Sequence, residues 1–325
     1  MKKTLDDLKG ILRQTAVTLP APAPGYALLD FPNYPNVGDS LIWLGEIALF
    51  WDVFKVRPSY VSTRDEYNPA ALNRACPEGP IYLSGGGNFG DIWPKYQAFR
   101  QRVLAAHPDR KIVQLPQSIH FQSDDNVRAT AAAITKHKNF SLLVRDEWSF
   151  EFARDRFECE TVLSPDMAFA LGPQDKISSK HSVVFLLRED DEKMAARGEV
   201  RDPSSVVVDW LQDDRSAKLQ NGWILPLVKR LETANPTYGS LELAFRGLAH
   251  TRKRRGQRLL GSGHSVVTDR LHAHIFCLLM GIPHIVIDNS YGKLSRFMQR
   301  WTATDPLVRV AGSVAEAQNL LLQAR

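Results

Sequence analysis

Apolar positions recur along this chain with two different periods. Leu5, Leu8, Ile11 and Leu12 fall on one helical face ahead of Pro20. Residues 1–19 therefore predict a short amphipathic helix docked on the body. The Pro-rich piece 20–25 reads as a connector. From residue 26 the pattern becomes short apolar runs, each followed by a polar or Gly-rich loop and then a helical stretch. The runs at 26–31, 81–84, 111–115, 141–144 and 161–163 read as buried strands. Those at 182–187, 205–208, 264–267 and 284–287 form a second set. Strands alternating with helices predict an α/β protein whose parallel sheets are covered on both faces. The polar stretch 173–180 separates the sets. This gives an N-terminal helix and connector (1–25), a first domain (26–176) and a second domain (177–325). Residues 188–204, charged and punctuated by Gly and Pro, predict an exposed loop. Residues 271–280 are apolar on most sides and predict a buried helix stopped by Gly281-Ile282-Pro283. Residues 314–323 predict a terminal amphipathic helix.

Composition narrows the class. A chain of 325 residues is long for one core and comfortable for two. Its 44% apolar and 24% charged residues are those of a globular protein. It holds no run of about 18 apolar residues, and its first residues lack the apolar centre of a signal peptide. A cytoplasmic protein is expected. Cys76, Cys159 and Cys277 are far apart and lack metal-binding spacing, which argues against a disulfide framework or structural zinc. The net charge is +5, and much of it is local, in Arg252-Lys253-Arg254-Arg255 and Arg258. Such a run is either a solvated helix face or a contact for phosphate or an anionic membrane. It lacks interleaved aromatics and any recognised nucleic-acid motif, so no nucleic-acid partner is expected.

Four loops carry candidate chemistry, each at the carboxyl end of a predicted strand, where ligands of parallel sheets bind. In Asn36-Val37-Gly38-Asp39-Ser40, Gly38 permits a tight turn. Asp39 is either an acid/base group or, with Ser40, a helix cap. In the stretch 84–91, Gly85, Gly86 and Gly87 permit close backbone approach to a ligand. Gly85, Gly87 and Gly90 satisfy the dinucleotide spacing. The stretch lies mid-domain, however, and no acidic residue clearly ends a strand about twenty residues on, so a nicotinamide site is not expected. Asn88, Asp91 and Trp93 suit a sugar better. Arg145 offers a planar donor fork for carboxylate or phosphate, or an ion pair with a nearby carboxylate. Last, Thr268-Asp269-Arg270-Leu271-His272 places cations at a helix start, where the macrodipole disfavours them and a bound anion would reverse the penalty. Lys293, after the next strand, can reach the same cleft. His274 is turned away and reads as a core histidine.

In this order the loops resemble the polysaccharide pyruvyl transferase family. The matching stretches are Asn36-Val37-Gly38-Asp39, Ser84-Gly85-Gly86-Gly87-Asn88, Gln114-Leu115-Pro116-Gln117-Ser118, Val144-Arg145-Asp146, Pro165-Asp166, Thr268-Asp269-Arg270-Leu271-His272-Ala273 and Gly281-Ile282-Pro283. The resemblance implies a GT-B-like architecture: two Rossmann-like doubly wound domains facing a cleft. It also implies a phosphoenolpyruvate donor, bound mainly by the second domain, and a saccharide or lipid-linked oligosaccharide acceptor. Carried over by motif, Arg145, His272 and Lys293 contact the donor, joined by Arg270. Asn36, Gly38, Asp39, Gly86, Gly87, Asn88 and Trp93 fall on the acceptor side. His272 is the expected general acid, with Asp39 or Asp269 as base. No step requires a metal, a nucleotide or another cofactor. With a lipid-linked acceptor, Arg252–Arg258 and the first helix are expected to touch an anionic leaflet. Competing readings are a sugar-nucleotide glycosyltransferase of GT-B type and a non-catalytic sugar-binding protein of an export complex.

Overall fold

The computed structural model describes residues 3–22, 24–188, 204–234, 238–288 and 292–323. Two parallel sheets organise it. The first contains β1 (Ala27–Leu29), β2 (Tyr60–Ser62), β3 (Ile81–Leu83), β4 (Gly86–Gly90), β5 (Ile112–His120), β6 (Phe140–Val144) and β7 (Glu160–Leu163). Its order is β2-β1-β3-β5-β6-β7, with β4 paired to the far half of β5. The second contains β8 (His181–Leu186), β9 (Ser205–Val208), β10 (Gly263–Thr268), β11 (His284–Ile287) and β12 (Val308–Ala311), in the order β12-β11-β10-β8-β9. In both sheets the second strand lies to one side of the first and later strands to the other. That doubly wound order opens a crevice where the winding reverses, between β1 and β3 and between β8 and β10.

The first helix, Leu5–Thr18, forms as its sequence predicts. Thr4 and Asp7 make a reciprocal capping box, and Leu8, Leu12 and Ala16 are buried. Its apolar face is thus spent on the protein rather than left for a membrane. Helix Val37–Phe54 is buried nearly all round. It packs against helix Gly239–Gly261 and against the turn Met167–Leu171. Phe31, after β1, stacks on Phe245 of Gly239–Gly261 with ring centroids 4.0 Å apart.

Two expectations need correction. The basic run is not one solvated face. Arg252 is fully buried, donating to Asp213 at 3.0 and 2.8 Å and to the Pro32 carbonyl at 2.9 Å. Arg255 is buried and reaches the same carboxylate at 2.7 Å. Helical periodicity turned these two inward and left Arg254 and Arg258 outside. The glycine-rich stretch also differs, because Gly86–Gly90 is a strand rather than an open loop. Gly90 serves backbone packing: a Cβ there would sit 1.7 Å from the His120 carbonyl oxygen, and its φ is +125°. Of the expected loop 188–204, residues 189–203 lie outside the described residues.

Candidate active site

The crevices of both sheets open on one pocket of about 340 Å3. Arg145, Arg188, Arg270 and His272 form a cationic wall. Tyr34, Asn36, Asp39, Asn88 and Trp93 form a polar and aromatic wall. Apart from Asn88, which lies inside β4, these follow the carboxyl ends of strands; Leu294, from helix Lys293–Trp301, also lines the pocket.

The polar wall is built on the start of helix Val37–Phe54. Asn36 is the N-cap and accepts from the Gly38 N–H at 2.9 Å. Asp39 is therefore not the cap. Its Oδ2 accepts from Tyr34 Oη at 2.7 Å and Asn36 Nδ2 at 2.8 Å. Ser40 donates to the Asn36 carbonyl at 2.9 Å. Gly38 does not line the pocket and does not serve a tight turn. A Cβ there would lie 2.6 Å from His272 Nδ1, so glycine admits the imidazole against the helix start. Gly38→Ala is expected to lower kcat/KM on the order of 100-fold by displacing the ring. Steady-state rates should show little further loss when it is combined with His272→Gly, because the three nearest atoms the new Cβ would meet, the His272 Cβ at 2.7 Å among them, are then gone.

Asn88 is fixed from behind. Its N–H donates to Gln117 Oε1 at 3.0 Å, and its Oδ1 accepts from Gln117 Nε2 at 3.2 Å and from buried Arg100. Gly87 lines the pocket, whereas Gly86 lies behind it with φ +142°. Beneath them Glu46, fully buried, accepts from the Gly85 N–H at 2.7 Å and from Ser84 Oγ at 3.0 Å. Burial pushes its carboxyl up to about 8, despite these donors. The folded state then keeps a proton that the unfolded chain releases. Stability from this group falls as pH rises from about 4.3, the ordinary value, to about 8. Glu46→Gln keeps an acceptor but cannot ionise. Relative to wild type, its melting temperature is expected to rise at pH 8.5 and to change little at pH 4, as thermal unfolding at the two pH values would show.

Asp30 directly follows β1 with a left-handed backbone, φ 71°. Burial pushes its carboxyl up to about 7, against the pull of Arg100 and Arg64. Nothing in the sequence marked it.

The cationic wall centres on Arg145, which is 1% exposed. Its Nη1 lies 2.5 Å from Asp166 Oδ2, and its Nε donates to Ser118 Oγ at 3.0 Å. His272 Nε2 is 3.4 Å from both Arg145 Nη1 and Asp166 Oδ2. Asp166 thus bridges a strand end of the first sheet to a helix start of the second. Burial opposes its ionisation, but His272, Arg145 and the Ala168 N–H at 2.9 Å hold its carboxyl well below the usual range. The ion pair expected for Arg145 exists, with the neighbouring loop, and the guanidinium still faces the pocket. Asp166 stands in a recognised stretch, yet its site role was missed. Its only local sign is a carboxylate directly after a strand and a proline.

Arg270 is the N-cap position of helix Leu271–Met280 and lies 3.4 Å from Asp209 Oδ1. Asp269 sits behind the wall, outside the pocket lining, and its Oδ1 accepts the Arg188 N–H at 2.8 Å. Arg188, read from sequence as part of an exposed loop, lines the pocket, because β8 ends one residue earlier than the apolar run. Lys293 opens helix Lys293–Trp301, but its side chain lies outside the described residues, as do residues 289–291. His274 is fully buried and hydrogen-bonds His284 Nε2 at 2.7 Å and Thr302 Oγ1 at 2.9 Å. Burial pushes its pKa well below the usual value. Among the described residues, no three His, Cys, Asp or Glu side chains are grouped to hold a metal ion, and no helix is long and apolar enough to cross a membrane.

The chain is 31% identical over 322 residues to pyruvyl transferase 1 of Schizosaccharomyces pombe, covering 91% of this chain and 75% of that one. It is 32% identical over 300 residues to the putative pyruvyl transferase EpsO of Bacillus subtilis, covering 90% and 89%. A crystal structure of a functionally uncharacterised Klebsiella pneumoniae protein shares the fold, with a TM-score of 0.62 at 17% identity over 94% of this chain and 99% of that one. The polysaccharide pyruvyl transferase profile matches residues 36–291, which include the pocket-lining residues other than Tyr34 and Leu294. On these matches the chain belongs to the polysaccharide pyruvyl transferase family.

Proposed function

We propose that this chain transfers pyruvate from phosphoenolpyruvate to two hydroxyls of a saccharide, free or lipid-linked, forming a pyruvate ketal in the cytoplasm. The observation that carries this reading is the pairing of a cationic wall with a polar, aromatic wall across one small pocket. In this reading the halves 26–176 and 177–325 act as acceptor and donor domains of a GT-B-like enzyme. Phosphoenolpyruvate carries a carboxylate and a phosphate. Arg145, Arg188 and Arg270 supply donor forks for them, and the start of helix Leu271–Met280 adds its positive end. Lys293 joins them from its helix start. Trp93 offers a face for a sugar ring, and Asn36 and Asn88 offer amides for its hydroxyls.

The chemistry balances without an added reactant. C3 of the enol takes a proton and becomes a methyl group. One sugar hydroxyl adds to C2, the C2–O bond to phosphate breaks, and a second hydroxyl closes the ketal. The two hydroxyls release two protons: one matches the proton taken up by C3 and the other leaves with phosphate. In this reading His272 delivers the first proton, a role supported by the contacts of its ring with Gly38 on one side and Asp166 on the other. Asp39 is the better base, because Asp269 lies behind the wall with its carboxylate turned to the Arg188 backbone. Incubation with phosphoenolpyruvate and a panel of saccharides tests this. Acceptor-dependent phosphate release with a new methyl singlet by proton NMR is expected. Phosphate release without a ketal, or turnover of a nucleotide sugar instead, would contradict it.

A further inference from the structure

Directly after the pocket residues Trp210 and Leu211, Asp214 caps a helical segment over 215–234. It runs as Arg215–Leu219, a π turn Gln220–Ile224 and Leu225–Ala234. The wider turn accommodates Pro226, which cannot donate to the ladder. Ala217 and Leu225 point inward and are buried. The opposite face is also apolar. Leu219, Trp223, Leu227 and Leu231 recur every fourth residue, so they lie one above another. All are more than half exposed, and Trp223 is 76% exposed. Ile224 beside them is exposed too.

Charge identifies the occupant. Between Arg215 and Leu231 there are four cations, Arg215, Lys218, Lys229 and Arg230, and no Asp or Glu. Arg215, Lys218 and Arg230 are exposed, as are Arg254 and Arg258 on the neighbouring helix Gly239–Gly261. Exposed Trp and Leu flanked by Lys and Arg are the pattern of a helix lying in a bilayer interface. A second copy fits poorly. A two-fold contact would set this cationic face against itself with only Glu232 to offset the segment's four cations.

We propose that the outer face of segment 215–234 docks this protein on an anionic lipid bilayer, with Trp223 and Leu227 inserted among the headgroups and Arg215, Lys218 and Arg230 paired to lipid phosphates. The surface leads within four residues to the pocket wall at Leu211, so docking sets the pocket close to the membrane. The inference does not depend on the pyruvyl-transfer reading. It also moves the expected membrane contact away from Arg252, Arg255 and the first helix, whose groups are committed inside the protein.

Sedimentation with vesicles of phosphatidylglycerol and phosphatidylcholine in equal parts, at low salt, tests it. The full chain is expected to pellet with these and not with phosphatidylcholine alone. The triple variant Arg215→Gln, Lys218→Gln, Arg230→Gln should bind about 100-fold more weakly, taking about 1 kcal/mol per cation near the surface. Trp223→Ser with Leu227→Ser should bind at least about tenfold more weakly. All five sites are exposed, so unchanged circular dichroism and melting temperature are expected. Failure to bind anionic vesicles, or binding that neither variant weakens, would overturn the proposal. So would a stable dimer in solution that Trp223→Ser dissociates, because a second copy would then occupy the face.

Discussion

Arg145→Ala is expected to cost about 3–5 kcal/mol of stability and to remove phosphoenolpyruvate binding together. The reason is Asp166. Both side chains are 1% exposed, and the carboxylate has the guanidinium at 2.5 Å. Truncation leaves a buried charge with only His272 and the Ala168 N–H to hold it. Urea unfolding reads the stability, and its pH dependence identifies the cause. The folded-state pKa of Asp166 lies below its unfolded value. Its stabilisation is therefore present above the unfolded value, about 3.9, and is lost as pH falls through the folded one. The gap between wild type and Arg145→Ala should be full at neutral pH and should start to close below about pH 4. Arg145→Lys restores the charge without the fork. It should recover more stability than donor affinity, because a point charge cannot make the bidentate contact.

His272→Ala is expected to lower kcat by about 10²–10⁴-fold, the range for loss of a positioned acid, while the protein stays folded. The imidazole is 13% exposed at the pocket edge, so its removal opens no sealed cavity. Phosphoenolpyruvate should still bind, held by the arginines. A large loss in kcat with a small change in donor affinity marks a group acting in the chemical step. Near-wild-type turnover in a folded His272→Ala protein would remove His272 from the mechanism.

The sheet organisation was legible because parallel strands buried on both faces read as continuous apolar runs, such as 141–144 and 264–267. The candidate loops were legible because each directly follows such a run. What sequence did not reveal is what only the third dimension brings together. Gly38 looked like a turn glycine, but its need comes from His272, 234 positions later. Arg252 and Arg255 looked like surface charge until Asp213, about 40 positions earlier, neutralised them inside. Asp166 and Asp30 each look ordinary locally. One gains its part from Arg145 and His272, the other from burial and a left-handed backbone. Asp39 lines the pocket but is not the helix cap, because Asn36, three residues earlier, already caps the helix.

The most direct test of the central claim is thermal unfolding of the purified chain titrated with phosphoenolpyruvate and, separately, with nucleotide diphosphate sugars. A ligand that binds only the folded state raises the midpoint by mass action. The cationic pocket predicts a rise with phosphoenolpyruvate that is lost in Arg270→Ala and kept in His272→Ala. A rise with a nucleotide diphosphate sugar and none with phosphoenolpyruvate would contradict it.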